Sequence, residues 1–353
     1  MNWREIQQSE LSTWNEQLLK EKTASIHQFP FVNEGLCCSG GLWVTIPGRF
    51  TPLIMGARRW TTSPKYLVHE SPSGRRTFVC IVTIGVPWVR VGCIVNGPTT
   101  LDGEPVDLDA FRNLLLWARQ HLFVALRVTH PEESVLQSLA AAGPSERVDG
   151  VPFYPRTESE LYVDLSAGEN SLLAGFQSVA RQEIRKAHNA GYKISIDRSP
   201  DAMEKAWPAF ASRSSQKGIR YRTLETYMRI MRAAEPHCAA HLFTAWLEEH
   251  PIAAILTLRD SSTVHYFLGT IDVNALGNAP SPMVLLQWEA MHHAASLGAR
   301  FYNLGTRSGS VYKFKAKFRP IEYNRPIPLT FAVNPFLYRA WRRILPLFAQ
   351  IVR

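Results

Sequence analysis

The sequence predicts a mixed α/β fold, with α+β character and mixed sheets, in two domains. The 353 residues correspond to about two domains, since a typical domain holds about 150 residues. Hydrophobic residues make up 46% and charged residues 20%, as in globular chains that build a core without disulfides or metal. The second half predicts two helices, three strands, a helix and a strand in that order, which is typical of mixed sheets.

We assign residues 1–150 to the first domain, because short β-branched runs and amphipathic segments alternate there until a loop rich in Gly and Pro. The turn Asn96-Gly97-Pro98 ends one of its strands. The predicted elements are, in order, a helix from Asn2 to about Lys20, strands at 42–46, 77–82 and 89–95, a helix at 107–121, a strand at 123–128 and a helix at about 132–142.

Residues 151–333 form the predicted second domain. Ser166 and Glu169 have the spacing of a helix capping box, and Gly191 and Gly298 follow predicted helix ends. Two tight connections predict an antiparallel meander of three strands. The predicted elements are a strand at 161–165, a helix to Ala190, a strand at 192–196, helices at about 201–215 and 223–234, strands at 241–247, 252–258 and 263–270, a helix opening at Ser281-Pro282, and a strand at 301–305.

Residues 334–353 predict a C-terminal amphipathic helix with a basic face, which Pro346 breaks or kinks. Such a helix can rest on an anionic membrane surface as a peripheral contact, or it can pack on the protein itself. The sequence leaves both interpretations open.

The charge balance favours anionic partners. There are 39 Lys and Arg against 30 Asp and Glu, a net charge of +9, which suits phosphates, RNA or an acidic membrane. The N-terminus lacks the apolar core of a signal peptide and no transmembrane run is visible, so we expect a cytoplasmic protein. Five cysteines without a C-x-x-C pair predict reduced thiols.

Several site classes have no motif. The sequence lacks zinc-protease spacing, a Walker loop, the G-x-G-x-x-G fingerprint and the G-x-S-x-G elbow, so no metal and no bound cofactor is predicted. The Gln/Arg-x-x-Gly-x-Gly/Ala pattern of a pyrophosphate-binding loop is also missing.

Two motifs carry a resemblance. The first is Phe176-Gln177-Ser178-Val179-Ala180-Arg181-Gln182-Glu183-Ile184-Arg185-Lys186-Ala187, followed by Gly191. The second is Gly298-Ala299-Arg300-Phe301-Tyr302-Asn303-Leu304-Gly305, followed by Tyr312-Lys313-Phe314-Lys315-Ala316-Lys317-Phe318. In order and spacing the chain resembles the Fem family of aminoacyl transferases and its acyltransferase relatives, whose fold is two GNAT-like domains in tandem.

The resemblance implies an armless member, because the stretch between Gly191 and the strand at 241–247 is too short for the helical-hairpin arm of some Fem proteins. The chain departs from the family at two positions. Asn303 stands where the family often has Asp, and Thr306 stands where a second Gly is usual.

The implied activity is acyl transfer to an amine, which requires a stabilised oxyanion and loss of a proton from the amine. We expect Lys315 to be catalytic, with Lys313, Lys317 and Tyr312 beside the substrate. In a strand the three lysines share one face, whereas in a helix they point in different directions. The alternative to a functional role is that these lysines form a basic edge exposed to solvent.

Arg181 and Arg185 lie four residues apart on a predicted helix and can clamp a diphosphate or a nucleic-acid backbone. The alternative is an exposed face satisfied by Glu183 and solvent.

Tyr302 and Asn303 are further catalytic candidates at the end of a strand, with Gly305 and Arg307 as candidate binding residues. Their loop can present backbone N–H groups to a carbonyl or phosphate, or it can be an ordinary turn. Asn303 cannot act as a general base but can orient a substrate.

Three functions remain open. The first is aminoacyl transfer from aminoacyl-tRNA to an amine on a peptidoglycan precursor or a small metabolite. The second is acyl-CoA-dependent N-acyl transfer in polysaccharide or secondary-metabolite synthesis. The third is a non-catalytic binding module. The sequence leaves the acceptor and the oligomeric state open.

Overall fold

The computed structural model describes residues 3–38, 61–86, 89–148, 158–217, 221–307 and 309–352. The predicted strand at 42–46 lies outside these residues. The strands are β1 (Arg4–Glu5), β2 (Thr61–Glu70), β3 (Arg76–Val86), β4 (Val89–Ile94), β5 (Thr99–Thr100), β6 (Phe123–Val128), β7 (Ser145–Arg147), β8 (Glu160–Asp164), β9 (Lys193–Asp197), β10 (Ala240–Leu247), β11 (His250–Arg259), β12 (Thr263–Ile271), β13 (Phe301–Thr306), β14 (Ile321–Tyr323) and β15 (Leu329–Ala332).

The helices fall between the strands in both halves of the chain. The α-helices are α1 (Leu11–Lys20), α2 (Pro30–Cys38), α3 (Leu108–Gln120), α4 (Glu133–Ala140), α5 (Glu169–Gly175), α6 (Ser178–Asn189), α7 (Pro200–Lys217), α8 (Leu224–Ala234), α9 (Val273–Leu276), α10 (Met283–Ser296), α11 (Gly309–Lys315) and α12 (Pro335–Val352). No helix of the described chain is long and apolar enough to cross a bilayer.

The first unit comprises Met1–Thr157 and Arg325–Arg353. Its sheet has the order β1-β2-β3-β4-β6-β15-β7, and β5 pairs with β3. The pair β4–β6 is parallel, while the other pairs are antiparallel. Side chains of α3 and α4 pack on this sheet around Phe111, Leu126 and Phe331.

Strand β15 belongs to this first sheet, although the predicted boundary assigned 151–333 to the second domain. It pairs with β6 and β7, so the chain returns to the first unit after residue 324. Leu329 and Phe331 are buried in the core of the first unit, which explains the pairing. A four-residue strand carries no local signal that selects one sheet over another.

The second unit is Glu158–Asn324. Its sheet has the order β14-β8-β13-β12-β11-β10-β9. Strands β10, β11 and β12 form the predicted antiparallel meander, and β12 pairs in parallel with β13. Helices α6 and α10 contribute Ile184 and Trp288 to a core that includes Phe243 and Tyr302. The predicted mixed α/β class is confirmed.

The predicted N-terminal helix is wrong before Leu11. Residues Arg4–Glu5 instead form β1, an edge strand on β2. Trp3 is buried, and its indole N–H donates to Ala110 O at 2.8 Å. Burying this indole with its hydrogen bond outweighs an extra helical turn that solvent would surround.

The predicted helix up to Ala190 is two helices, because the backbone is extended at Phe176 between α5 and α6. Phe176 is fully buried and its ring contacts Trp288 and Phe318 edge-on, at centroid distances of 5.7 Å and 5.2 Å. The predicted Ser166 capping box is also wrong, since Gly168 is the N-cap of α5 and no side chain caps it. Burial of one aromatic ring therefore outweighs the helical periodicity.

Helix α12 packs on the first unit through its first turns. Tyr338 is buried against Val91 and Val124, and its hydroxyl donates to Glu146, which also pairs with Arg342. The predicted break at Pro346 is wrong, since the helix runs from Pro335 to Val352. A proline removes one backbone hydrogen bond, and the carbonyl four residues earlier belongs to Arg342, which is exposed to water.

Candidate functional site

The parallel strands β12 and β13 separate at their carboxyl ends. They pair from Thr263–Phe301 to His265–Asn303. Beyond that point β12 continues along β11, while Thr306 of β13 pairs with Glu160 of β8. Gaps at the carboxyl ends of parallel strands are the usual place for ligands in sheets of this kind.

A chain of hydrogen bonds fixes the point of separation. Asp260 accepts backbone N–H groups of Ser262 and Thr263 at 3.1 Å and 2.8 Å, and its second oxygen lies 2.8 Å from Nε2 of His265. With Nε2 protonated toward Asp260, Nδ1 of the neutral imidazole is an acceptor. Asn303 donates its Nδ2 to that Nδ1 across 3.3 Å.

Asn303 completes the chain by accepting the N–H of Gly305 at 2.7 Å. Its side chain is only 3% exposed, so it is locked between His265 and the backbone. A carboxylate could accept from Gly305 but could not donate to His265. Asn303, which departs from the Fem pattern, therefore supplies the donor that Nδ1 of His265 requires.

Lys315, the predicted catalytic residue, is buried at 6% exposure. Its ammonium donates to Thr306 O at 2.7 Å, and a Cβ added to Gly305 would lie 3.6 Å from Nζ. Gly305 has φ +79°, which favours glycine. Burial lowers the pKa of Lys315, and the carboxylates of Glu158 and Glu160 act in the opposite direction.

The lysine-rich motif is helical, so its lysines fan out. Lys313 is exposed, Lys315 is buried against the end of β13, and Lys317 lies in a 3-10 turn, Ala316–Phe318, half-buried. At three-residue spacing, Val311, Phe314 and Lys317 present a separate face of this segment to a cleft.

The cleft has a volume of about 720 Å³ and lies within the second unit. The end of β12, the start of α10, and parts of α6, α7 and α11 line it. The lining residues are Glu183, Lys186, Arg213, Tyr221, Tyr266, Gly269, Thr270, Ile271, Pro280, Ser281, Met283, Val284, Val311, Phe314 and Lys317. Three cations, one carboxylate and several aromatic rings thus surround one space.

Tyrosines narrow the cleft near Gly269. Tyr221 donates its hydroxyl to Gly269 O at 3.2 Å. A Cβ added to Gly269 would lie only 2.1 Å from the hydroxyl oxygen of Tyr266, so this wall requires glycine. Burial raises the pKa of Tyr266, so its hydroxyl keeps its proton and can donate.

The predicted arginine clamp separates into two different residues. Arg181 donates to the carbonyls of Ala174 and Phe176, which the break between α5 and α6 leaves without helical partners. Arg185 is exposed on α6. Glu183, expected as their partner, pairs with Lys317 instead. Arg181 therefore supports the helix start, and only Arg185 presents a guanidinium to solvent.

The other predicted site residues lie at different depths. Tyr302 is fully buried and donates its hydroxyl to Gln287 at 2.8 Å, so it is a core residue. Arg307 pairs with Glu322 at 2.9 Å and lies over the ring of Tyr312 at 4.7 Å from its centroid. These contacts stiffen the segment between β13 and α11.

Sequence reasoning missed Asp260, His265, Arg213 and both cleft tyrosines, and it named Glu183 only as a partner of the two arginines. The contacts that assemble the site join residues far apart in the chain: Asn303 and His265 are 38 positions apart, and Lys317 and Glu183 are 134 apart. Only Glu183 had a signal, since it lies inside the first motif. No cluster of three or more His, Cys, Asp or Glu side chains suited to a metal occurs in the described ranges.

Residues 174–316 match the family model described as Acetyltransferase (GNAT) domain. No curated protein matches the sequence significantly. The crystal structure of FemX superimposes with a TM-score of 0.74 at 13% identity, covering 96% of this chain and 99% of FemX.

Two further solved structures share the fold. A tandem GNAT protein from the clavulanic acid biosynthesis pathway has a TM-score of 0.51 at 12% identity, with 95% and 99% coverage of the two chains. The C-terminal domain of a protein named as a lysylphosphatidylglycerol synthetase, from Agrobacterium fabrum, has a TM-score of 0.50 at 15% identity, with 78% and 86% coverage.

The family match covers the first motif, the second motif as far as Ala316, and every residue of the cleft except Lys317. The structural matches confirm the predicted tandem GNAT-like fold that FemX shares. Residues 174–316 thus carry an acetyltransferase (GNAT) domain within this fold, and the two findings together support an acyltransferase.

Proposed function

We propose that this acyltransferase moves an aminoacyl group from aminoacyl-tRNA to the amine of an acceptor, a cell-wall precursor or a small metabolite, and forms an amide. The observation that carries the proposal is the ammonium of Lys315, buried at the end of β13 and held on Thr306 O at 2.7 Å. A fixed positive charge in a dry site is what a developing oxyanion requires.

The reaction follows from that charge. The acceptor nitrogen attacks the ester carbonyl carbon of the donor, and the bond to the ribose oxygen breaks. The nitrogen loses one proton and the ribose oxygen gains one. Lys315 has three N–H groups, and Thr306 O accepts one of them, so two remain to stabilise the carbonyl oxygen as it becomes negative.

Charge supports a tRNA donor. The net charge of +9 favours association with a polyphosphate chain. Lys186 and Arg213 line the cleft, and the side chain of Arg185 is exposed one position before Lys186. The cytoplasm, where tRNA is charged, is the compartment that this proposal requires.

The comparisons support handling of aminoacyl groups. Both motifs resemble the Fem aminoacyl transferases, and FemX shares the fold over 96% of this chain. A further neighbour is named for a lysyl group joined to a lipid, phosphatidylglycerol. These similarities, together with the buried Lys315, support an aminoacyl ester as the donor of this chain.

A second candidate function is N-acylation from an acyl-CoA. It is favoured by the description of the matching family as an acetyltransferase. It also fits the neighbouring tandem GNAT protein, whose structure is described as lacking AcCoA. The missing pyrophosphate loop of simple GNAT enzymes weighs against it.

A donor screen separates the candidates. Total tRNA charged with a mixture of amino acids is compared with a set of acyl-CoA thioesters, and amide formation on a panel of primary amines is followed by mass spectrometry. We expect amides from charged tRNA only. Amides from acyl-CoA alone would replace the first proposal with the second, and none from either donor would favour a binding module.

Lys315→Met tests the oxyanion role, with Lys313→Met as a matched control on the same helix. Loss of one oxyanion donor costs about 100- to 1,000-fold in rate. We therefore expect Lys315→Met to lower transfer by at least 100-fold and Lys313→Met to stay within about twofold. Equal rates for the two variants would remove Lys315 from the mechanism.

A further inference from the structure

The cleft contains an ammonium already bound to a carboxylate. Nζ of Lys317 lies 2.7 Å from both oxygens of Glu183, with the two side chains 24% and 33% exposed. Among the described residues that line the cleft, Glu183 is the one carboxylate. Phe314 flanks the lysine, with Nζ 5.9 Å from its ring centroid.

This ion pair is not needed to hold the turn that carries Lys317. The backbone N–H of Gln177 donates to Lys317 O at 2.9 Å, and the amide of Gln177 donates to Ala316 O at 2.9 Å. Phe318, the next residue, is buried against Phe176. Three anchors besides the ion pair thus fix the turn to the start of α6.

The pair is also easy to exchange. Ion pairs with this degree of exposure contribute about 0–1 kcal/mol, because water solvates both charges. A second ammonium that reaches Glu183 replaces Lys317 at little cost, since the lysine swings into the cleft and stays hydrated. The released cation then joins Lys186 and Arg213 on a cleft wall suited to phosphates.

We propose that the carboxylate of Glu183 is the binding subsite for a substrate ammonium group, which displaces Lys317 from its two oxygens. The inference rests on the proposed function, in which an amine and an aminoacyl ester are the two substrates. Two sources supply the same chemistry: the α-ammonium of an aminoacyl donor and the amine of an acceptor. Acyl-CoA donors with simple acyl chains carry no such group.

A zero-length carbodiimide cross-link reports on the pair directly. In the free protein, Glu183 and Lys317 give an internal isopeptide that mass spectrometry quantifies. The exposed pair Lys65–Glu5 in the first unit serves as the internal control for reagent consumption. The donor probe is total charged tRNA against the same tRNA after N-acetylation, which removes the ammonium and keeps the ester.

We expect charged tRNA to lower the Glu183–Lys317 cross-link at least fivefold relative to the control pair, and N-acetylated tRNA to leave it unchanged. The acceptor probe is Nα-acetyl-lysine methylamide against its Nε-acetylated form. If that amine displaces Lys317 and charged tRNA does not, the subsite stands and belongs to the acceptor. If neither ammonium displaces it, the subsite is refuted.

Variants of the pair separate binding from support of the fold. Charged and N-acetylated tRNA are compared by filter retention, and the ratio of their affinities is the readout. Glu183→Gln should bring the ratio to about one, whereas Lys317→Met, which removes the competitor, should raise it above the wild-type ratio. Glu225→Gln, which breaks the exposed pair with Arg229 elsewhere, should leave it unchanged.

A purely structural ion pair predicts that Glu183→Gln and Lys317→Met change the ratio alike, so opposite signs are the diagnostic result. The outcome is independent of whether transfer occurs. Transfer from tRNA with an unchanged cross-link refutes the subsite alone, and displacement by the acceptor amine with no transfer from tRNA refutes the donor alone.

Discussion

Mild acid should destabilise the second unit through His241, which lies on β10. This residue is 6% exposed, and its ring centroid lies 4.5 Å from that of His293. Burial, followed by the charges of His293, Arg198 and Arg259, lowers the pKa of His241 from 6.5 to about 3. Burial lowers the pKa of His293 as well. No carboxylate contributes to either shift.

The sign follows from proton linkage. In the unfolded chain a histidine titrates near pH 6.5, so below that pH the unfolded state binds a proton that folded His241 refuses until about pH 3. The contribution to stability is therefore complete above pH 6.5 and falls as pH decreases. At pH 5 the difference is about 1.5 pH units, which at 1.36 kcal/mol per unit amounts to about 2 kcal/mol.

Hydrogen–deuterium exchange of peptides from β10 and β11 measures this loss of stability. The method reports on the second unit separately from the first. The opening free energy, corrected for intrinsic exchange, should fall between pH 7.5 and pH 5 by about 2 kcal/mol more in the wild type than in His241→Gln. His188→Gln, at an exposed position of α6, should behave as the wild type. Equal pH dependence in wild type and His241→Gln would refute the reasoning.

Three further substitutions test the site. Asn303→Asp removes the amide donor and places a carboxylate oxygen against an imidazole acceptor. It should therefore lower the unfolding free energy, measured by urea unfolding at pH 7.5, more than Asn303→Ala does. Gly269→Ala should lower the melting temperature, since overpacking costs about 1–3 kcal/mol, and Tyr266→Phe in addition should recover part of it. Arg181→Met should cost about 1–2 kcal/mol in urea unfolding, and Arg185→Met less than about 0.5 kcal/mol.

Local patterns predicted the elements that surround the site. The meander β10–β12 follows from tight turns between apolar runs. Helix α6 ends at Asn189, two residues before the predicted stop signal Gly191, whose φ is +79°. The predicted opening at Ser281-Pro282 lies directly before α10, which begins at Met283. In each case the stabilising contacts are those that a short window of sequence can encode, namely turn geometry, helix caps and amphipathic spacing.

Elements that depend on distant partners were not predicted. Strand β2 pairs along its length with β3, and the backbone N–H of Phe31 in α2 donates to the side-chain oxygen of Asn15, 16 positions away. Strands β7, β14 and β15 have three or four residues each, too few for periodicity to be visible. The break at Phe176 follows from an aromatic pocket that α10 and the 3-10 turn supply.

The candidate site likewise has a part that the local sequence predicts and a part that depends on distant contacts. Residue type and motif pointed to Lys315 and Asn303, because a lysine-rich motif and a strand-end amide are visible in the sequence. Their environment depends on pairing between β12 and β13 and on the turn after β13, and periodicity carries no information about it. The difference matters chemically, since burial separates Lys315 from Lys313 and Lys317, which the sequence presents as equivalent.

The departure at Asn303 is best understood together with His265. Asp260 accepts a hydrogen bond from Nε2–H of that imidazole, so the group opposite Nδ1 must donate, and an amide donates where a carboxylate cannot. The same amide accepts from Gly305, whose positive φ turns the chain so that Thr306 O faces Lys315. Asn in place of Asp therefore removes a negative charge and adds a hydrogen-bond donor toward His265. The side chain still accepts the backbone N–H of Gly305, so the turn that precedes Thr306 keeps this hydrogen bond. The substitution argues for a rearranged hydrogen-bond partner, and it does not by itself argue for loss of catalysis.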